Sequence, residues 1–235
     1  LLIIVVSIMT LALTGCKNLR ILPPRVEISE LNLVRAMAVD KGEDGGILVT
    51  ITSKKEGENQ GTGSGEGGPA TTEQVIVLSA EGKTIESAVR QFQTYINKRV
   101  FWGHCTFFLI GEEAARQDIS RYLDFYVRNH AVRMNSFVYV TKGKAADFLE
   151  KSNIPGFFIA DYLKSLSKNV SLVSYSDSMD VLDLAKELDD NTTFGAAVPA
   201  LSLSEGTVRA KGLEITLEKD VKQEGYAIIK DYKLV

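Results

Sequence analysis

Short apolar runs alternate with helical patterns between residues 75 and 149, and this alternation constrains the fold more than any other feature of the chain. Apolar runs typical of strands lie at residues 75–78, 105–110 and 136–140. The helical patterns that follow them lie at residues 85–96 with Thr84 as N-cap, from Glu112 past Val127 with a candidate break at Gln117-Asp118, and at residues 144–149. Strands that alternate with helices in this way favour crossover connections and a β-sheet with helices packed against it.

Two further β-type runs precede this alternation. Residues 33–39 and 47–51 flank the turn signal Gly42-Glu43-Asp44-Gly45-Gly46, which predicts a β-hairpin. The hairpin would add antiparallel strands and make the sheet mixed. We therefore predict an α+β (mixed α/β) fold for a main domain at residues 33–190. Within it, residues 54–70 are too polar and Gly-rich to support a core, so we expect a mobile surface loop.

The character of the sequence changes after Asn191. Helical patterns at residues 157–166 and 179–188 precede it, whereas strand-like runs at residues 197–203, 207–217 and 226–229 follow it without a helical pattern between them. We therefore predict a domain boundary near Asn191. Residues 191–235 would be the start of a second, β-rich domain, whose remainder we expect to follow in the natural protein.

The first sixteen residues are typical of a bacterial lipoprotein signal peptide. Residues 1–13 carry no charge and lead into Thr14-Gly15-Cys16, with small residues before the cysteine. The run is shorter than the about 20 apolar residues that span a bilayer. We predict residues 1–15 to be a signal peptide that lacks its natural start, and Cys16 to carry a diacylglyceryl thioether and an acylated amino terminus. Residues 16–32, with Pro23-Pro24, are then a tether.

Composition argues against two classes of partner. The chain has 27 basic and 30 acidic residues, a net charge of −3, and no dense basic cluster. This balance argues against nucleic acid as a partner and against a polybasic membrane patch, which leaves the lipid as the anchor. Cys105 is the only cysteine besides Cys16, so we expect no disulfide within the chain and a fold held by its core.

The residues whose side chains could act in catalysis or bind a metal match no common catalytic or metal-binding motif. The two histidines, His104 and His130, have no further ligand-type residue at a zinc-site spacing. His104 and Cys105 are adjacent in a predicted strand, where neighbouring side chains point to opposite faces, so we expect a buried cysteine rather than a catalytic pair. Glu112-Glu113 opens a helical pattern, where carboxylates stabilise the helix N-terminus. We expect no enzyme activity, no cofactor and no metal site.

One segment combines aromatic and basic residues between a predicted helix and a predicted buried strand. It contains Lys98, Arg99, Phe101, Trp102 and His104, which we take as the candidate partner-binding residues. Trp102 has two interpretations: a core aromatic at a sheet edge, or an exposed anchor, since Trp and Arg are enriched at interface hot spots. Residues 153–158, with Pro-Gly before two aromatics, are a second candidate surface, for which packing within the domain is the competing interpretation.

Short segments spread over nearly the whole chain share their order and spacing with one known family. They are Leu13-Thr14-Gly15-Cys16, Val39-Asp40-Lys41, Glu81-Gly82-Lys83-Thr84-Ile85, Phe101-Trp102-Gly103-His104, Leu109-Ile110-Gly111-Glu112-Glu113, Leu123-Asp124-Phe125, Arg133-Met134-Asn135, Val140-Thr141-Lys142-Gly143-Lys144-Ala145 and residues 225–235. Together they resemble the Ger(x)C family of spore germination lipoproteins.

The resemblance implies the C subunit of a nutrient germinant receptor of endospore-forming bacteria. Such a subunit is a non-enzymatic lipoprotein on the outer face of the spore inner membrane, and its implied partners are the integral membrane A and B subunits. Two alternatives from other classes stay open. An extracytoplasmic lipoprotein that captures a small solute would show a two-lobed fold with a hinged cleft. An envelope hydrolase would show a pocket with paired carboxylates.

Overall fold

A computed structural model describes residues 27–54, 75–151, 158–168, 178–190, 192, 194–210 and 213–235. From Asn32 onward these residues form one compact unit. Residues 1–26, which include the predicted signal peptide and Cys16, lie outside the described residues. So do residues 55–70 of the predicted loop and most of the candidate surface at 153–158. These interpretations stay predictions.

In the described part of the chain, nine strands form one sheet. They are β1 (Leu31–Lys41), β2 (Ile47–Lys54), β3 (Val75–Gly82), β4 (Arg99–Phe101), β5 (Phe107–Gly111), β6 (Phe137–Thr141), β7 (Ala196–Ala210), β8 (Leu213–Lys230) and β9 (Lys233–Leu234). The order is β3-β2-β1-β5-β6-β7-β8-β9, and β4 pairs with β1. Strands β1, β5, β6 and β7 are parallel neighbours, whereas β2–β3 and β8–β9 add antiparallel strands on either side. The predicted mixed sheet is confirmed.

The described α-helices pack against this sheet. They are α1 (Ile85–Tyr95), α2 (Glu112–Ala115), α3 (Ser120–Arg128), α4 (Ala145–Glu150), α5 (Ile159–Lys168) and α6 (Val181–Asp189). The break between α2 and α3 contains the predicted Gln117-Asp118. Thr84 caps α1 as predicted: its hydroxyl accepts from the backbone N–H of Ser87, and the Ser87 hydroxyl accepts from the N–H of Thr84. This reciprocal pair satisfies two N–H groups that the helix itself leaves free.

The two faces of the sheet are both covered, and each has its own core. In β5, Phe108 and Ile110 belong to one core, whereas Phe107 and Leu109 belong to the other, because successive side chains of a strand alternate between faces. Side chains from α1, α3 and α6 contribute to the first core, and side chains from α4 and α5 contribute to the second. Burial on both faces explains why the central strands are continuous apolar runs in the sequence.

The predicted domain boundary near Asn191 is wrong. Strand β7 pairs in parallel with β6 at Val140↔Ala200, so residues 196–235 continue the same sheet, and Val198 and Ile229 lie in the first core. The character of the sequence changes here because antiparallel strands are joined by hairpins and need no crossover helix. The strand predicted at residues 207–217 is also corrected: Ala210 pairs with Leu213, so this stretch belongs to two strands, β7 and β8.

Candidate functional site

The predicted partner-binding segment lies where the parallel strands begin. Strand β4 pairs with β1, and the backbone N–H of Thr106 donates to the carbonyl of Arg35 at 2.9 Å just before β5 joins β1 at Ala36. Since β1, β5 and β6 are parallel, their first residues share one edge of the sheet. We call this the strand-start edge, and the opposite one the strand-end edge.

Trp102 is a core residue, so its assignment to the partner-binding surface is wrong. Its side chain is 5 % exposed, and its ring meets that of Phe125 edge-on, with centroids 5.5 Å apart. The carbonyl of Trp102 accepts from the backbone N–H of Cys105 at 2.8 Å, which closes a tight turn after β4. The burial of the indole and its contact with Phe125 of α3 confirm the core interpretation of Trp102.

The other four predicted residues lie nearer the solvent. Arg99, Phe101 and His104 are exposed, and Lys98 is half-buried. The rings of Phe101 and His104 have centroids 6.0 Å apart, and the Phe101 ring covers Gly103, where a Cβ atom would lie 2.7 Å from it. The structure therefore brings an exposed aromatic pair together beside Arg99. Whether these four residues bind a partner stays a prediction.

Cys105 is buried, as predicted, whereas its neighbour His104 is exposed. Burial raises the pKa of the Cys105 thiol to about 12, although Tyr126 at 3.9 Å and the carbonyl of Phe107 at 3.6 Å oppose the shift. The thiolate is the nucleophilic form of cysteine, so this thiol is unreactive at neutral pH. The environment of Cys105 is that of a packed core residue.

At the strand-end edge, Asp40 is a buried carboxylate that sequence reasoning did not single out as a site. Its two oxygens accept from the backbone N–H groups of Ala145 and Ala146, both at 2.8 Å, at the start of α4. Burial raises the pKa of Asp40, and the two backbone hydrogen bonds oppose that rise. In the sequence, the feature that could have pointed to Asp40 is that it is a single carboxylate directly after the apolar run of β1.

Gly111 makes room for this carboxylate. A Cβ atom at Gly111 would overlap Oδ1 of Asp40 and lie 3.2 Å from the backbone nitrogen of Ala145. The side chain of Asp40 thus crosses the end of β5 to reach α4, and only glycine leaves the path open. Three segments that carried the resemblance in the sequence meet at this contact.

Glu112 joins the same edge through a second set of hydrogen bonds. Its backbone N–H donates to the carbonyl of Gly143 at 3.0 Å, and its carboxylate accepts from the N–H of Gly143 at 3.3 Å. Arg116 donates to the other carboxylate oxygen at 2.8 Å, and this bond is the main cause that lowers the pKa of Glu112. As predicted, Glu112-Glu113 opens a helix, α2.

These contacts give the strand-end edge a positioning role. The carboxylates of Asp40 and Glu112 are both held by backbone N–H groups, which fixes the loops after β5 and β6. Within the described ranges, no three His, Cys, Asp or Glu side chains lie close enough together to hold a metal ion. Among the helices described, none is long and apolar enough to cross a membrane.

Comparison with known proteins gives a consistent set of relatives. The family described as "Spore germination protein N-terminal domain" matches residues 24–203. A putative spore germination protein of Bacillus subtilis (strain 168), YfkR, is 27% identical over 225 residues, covering 95% of this chain and 54% of that protein. Spore germination protein B3 of the same organism is 26% identical over 150 residues, covering 63% of this chain and 37% of that protein.

Among solved structures, the crystal structure of the GerBC protein matches with a TM-score of 0.34 and 20% identity, over 86% of this chain and 50% of that one. The chain thus spans about half the length of the YfkR protein and of the solved structure. The family match covers most of the described sheet, from β1 to the first half of β7. The chain belongs to the Ger(x)C family of spore germination proteins, and the matched region is the N-terminal domain of that family.

Proposed function

We propose that this protein is the lipid-anchored C subunit of a nutrient germinant receptor on the outer face of the spore inner membrane. The observation that carries the proposal is the family match over residues 24–203. The protein would act in receptor assembly and germination signalling by contacting the integral membrane A and B subunits. The four residues of the predicted segment that lie nearer the solvent, Lys98, Arg99, Phe101 and His104, are a candidate surface for contacts outside the domain.

The proposed anchor is Cys16. The charge-free run of residues 1–13 and the small residues before Cys16 support cleavage and lipidation there. Two or three acyl chains hold a protein stably on a bilayer, whereas one does not. Residues 17–31 would then connect the acylated cysteine to the start of the compact unit.

A non-enzymatic role is supported by the burial and hydrogen bonding of the groups that could act as a nucleophile, acid or base. The Cys105 thiol is buried and protonated, and the carboxylates of Asp40 and Glu112 are occupied by hydrogen bonds that hold loops. A catalytic acid, base or nucleophile needs an approach path for substrate, whereas the Cys105 thiol and the Asp40 carboxylate are buried.

A depression between α6 and β7 bears on the solute-binding alternative. Its volume is about 240 Å³, and Met179, Asp183, Lys186 and Ala197 are among its lining residues. Pockets that enclose small ligands usually have volumes of about 300–1,000 Å³. This depression is smaller than that, and it lies beside one helix rather than between two lobes. This depression by itself therefore does not supply the cavity that solute capture needs.

The anchor is tested by replacing Cys16. Spores that carry Cys16→Ala should contain an uncleaved precursor without lipid, and germination through this receptor should weaken. Metabolic labelling with a radioactive fatty acid measures the modification directly, with the unmutated protein as the control. Label that is retained by the Ala variant would contradict lipidation at Cys16.

A further inference from the structure

Positive charge from two separate segments meets at the strand-start edge. Residues 87–111 and residues 125–146 contain no aspartate or glutamate. The first segment carries Lys98 and Arg99 before β5, and the second carries Arg133 before β6. Because β5 and β6 are adjacent and parallel, the chain enters both strands at the same edge.

Hydrogen bonds hold these two entry segments against each other. The hydroxyl of Ser136 donates to the carbonyl of Cys105 and to that of Arg133, both at 2.8 Å. The backbone N–H of Phe137 donates to the carbonyl of Thr106 at 2.8 Å. The turn that carries Arg133 is therefore fixed beside the turn that follows Arg99 and Phe101.

The three cations at this edge form no ion pair with the carboxylates that the structure describes around them. Arg99 and Arg133 are exposed, Lys98 is half-buried, and none of the three forms an ion pair with any residue that the structure describes. Two exposed carboxylates, Glu27 and Glu30, lie in the turn that leads into β1 at the same edge and offset part of this positive charge. Three carboxylates on the other adjoining elements have other partners. Asp161 pairs with Arg35 at 3.9 Å, Asp124 pairs with Arg128, and Asp180 accepts from the backbone N–H of Asp183 at 2.8 Å.

Exposed aromatic residues accompany the cations. Phe101 is 36 % exposed, and Tyr95, at the end of α1 just before the segment, is 76 % exposed. The ring of Tyr95, with its polar hydroxyl, suits the boundary between lipid headgroups and acyl chains, and Phe101 adds exposed apolar surface. Cations beside such rings match the chemistry of an anionic membrane surface.

The course of the chain puts a limit on how far this edge can lie from a membrane. Strand β1 runs parallel to β5, so the chain that precedes β1 enters the domain at the strand-start edge. Residues 17–31 connect that entry point to Cys16, and a chain of that length reaches at most about 50 Å. An acyl anchor at Cys16 therefore keeps this edge within reach of the bilayer.

We propose that the strand-start edge rests on the anionic headgroups of the membrane, through Lys98, Arg99 and Arg133 with Phe101 beside them. The proposal rests on the proposed anchor at Cys16, which brings the protein to the bilayer. The sequence shows no dense basic cluster because the three cations are not contiguous in the chain. For that reason the sequence alone argues against a basic membrane patch. The pairing of β5 with β6 brings them to one edge.

The expected strength follows from the three charges. Near an anionic leaflet, each Lys or Arg strengthens binding about fivefold, so removal of all three should weaken it by up to roughly a hundredfold, whereas Glu27 and Glu30 at the same edge lower the affinity of the parent. Salt weakens the attraction because these charges are exposed. The edge would orient a protein that the lipid already tethers.

The test uses the mature protein with Cys16→Ser, which has no acyl chain, and vesicles of phosphatidylglycerol and phosphatidylcholine in equal parts. Vesicles of phosphatidylcholine alone are the lipid control, and sedimentation at low and high salt measures the bound fraction. The test variant is Lys98→Gln/Arg99→Gln/Arg133→Gln. The matched control, Lys41→Gln/Lys142→Gln/Lys144→Gln, removes the same charge at the strand-end edge. Thermal melts check that both variants fold.

The unsubstituted edge should bind the anionic vesicles and not the neutral ones, and high salt should release it. The test variant should bind at least about tenfold more weakly, and the control variant should bind like the parent. Equal loss in both triple variants, or no preference for anionic lipid, would overturn the proposal. So would a test variant that binds vesicles normally but no longer co-purifies with membrane proteins. Failure of Cys16 labelling would count against the anchor alone, because these vesicle measurements need no acyl chain.

Discussion

Phe101 and Trp102 are neighbours in the chain, but their side chains lie in different environments. Trp102 packs against Phe125 in the core, whereas Phe101 lies at the surface with His104. The sequence left Trp102 undecided because a lone aromatic between a helix and a strand has no periodicity to assign it to a face. The deciding partner, Phe125, comes from a later helix, so only tertiary packing resolves the question.

The pair provides a matched stability test. Trp102→Ala should lower the free energy of unfolding by about 3–5 kcal/mol, because it removes a large buried side chain. Phe101→Ala should lower it by less than about 1 kcal/mol, since part of that ring is already in water. Urea denaturation of the mature protein with Cys16→Ser measures both. Equal costs for the two variants would contradict the placement of the two rings.

Gly111 and Asp40 form a second pair that can be tested at the residue scale. Gly111→Ala should cost about 1–3 kcal/mol, because its Cβ displaces the carboxylate of Asp40 from the start of α4. Asp40→Ala alone should also destabilise, because it leaves the N–H groups of Ala145 and Ala146 without their partner. The double variant should cost less than the sum by about 0.5–3 kcal/mol in a urea-denaturation cycle. Additive costs would show that the two residues do not interact.

Asp40 should also leave a signature in the pH dependence of stability. Burial raises its pKa in the folded state above the ordinary value of 3.8, so the folded state holds this proton more tightly than the unfolded state does. Stability from this group is therefore present below pH 3.8 and is lost as the pH rises through the folded pKa. Asp40→Asn cannot titrate. The parent should thus lose stability relative to this variant as the pH rises above 3.8, in unfolding measurements made at several pH values. A parent that gains on the variant over this range would contradict the direction of the shift.

At the scale of elements, the strands and helices follow local sequence patterns, whereas their neighbours in the sheet do not. The runs that became β5 and β6, and the N-cap of α1, were readable because apolar spacing and capping chemistry are local. The position of β3 beside β2, and of β1 between β2 and β5, depends on pairing between distant segments. The boundary near Asn191 failed for a related reason: a switch from crossovers to hairpins looks like a new domain in the sequence.

The β2–β3 hairpin makes a prediction about the loop that joins its strands. Lys54 pairs with Val75, so the two strand ends lie side by side, and a short connection can replace a long one. Replacing residues 56–69 by a short Gly-Ser link should change the melting temperature by only a few degrees, because closure entropy grows slowly with loop length. Calorimetry of both proteins checks this. Loss of cooperative unfolding would mean that the replaced residues form part of the structure.

At the scale of the whole molecule, the two edges of the parallel strands have different characters. The strand-end edge is held together by hydrogen bonds between loops, and several of its charges are paired, including Lys41 with Glu113 and Lys142 with Glu224. The strand-start edge carries unpaired cations among the described residues, beside exposed aromatic rings. The net charge of −3 does not reveal this difference, because composition averages over the surface. The strand-end edge suits a structural role within the domain, and the strand-start edge suits contact with a surface outside the domain.

The proposed role of this protein is that of a receptor subunit that acts through contacts rather than chemistry. Affinity purification of the intact, tagged lipoprotein from detergent-solubilised spore membranes tests it most directly, with an untagged strain as control and mass spectrometry as the readout. We expect the A and B subunits of a germinant receptor to co-purify in amounts comparable to the tagged protein. Recovery of the lipoprotein alone, or with a solute permease in place of those subunits, would contradict it.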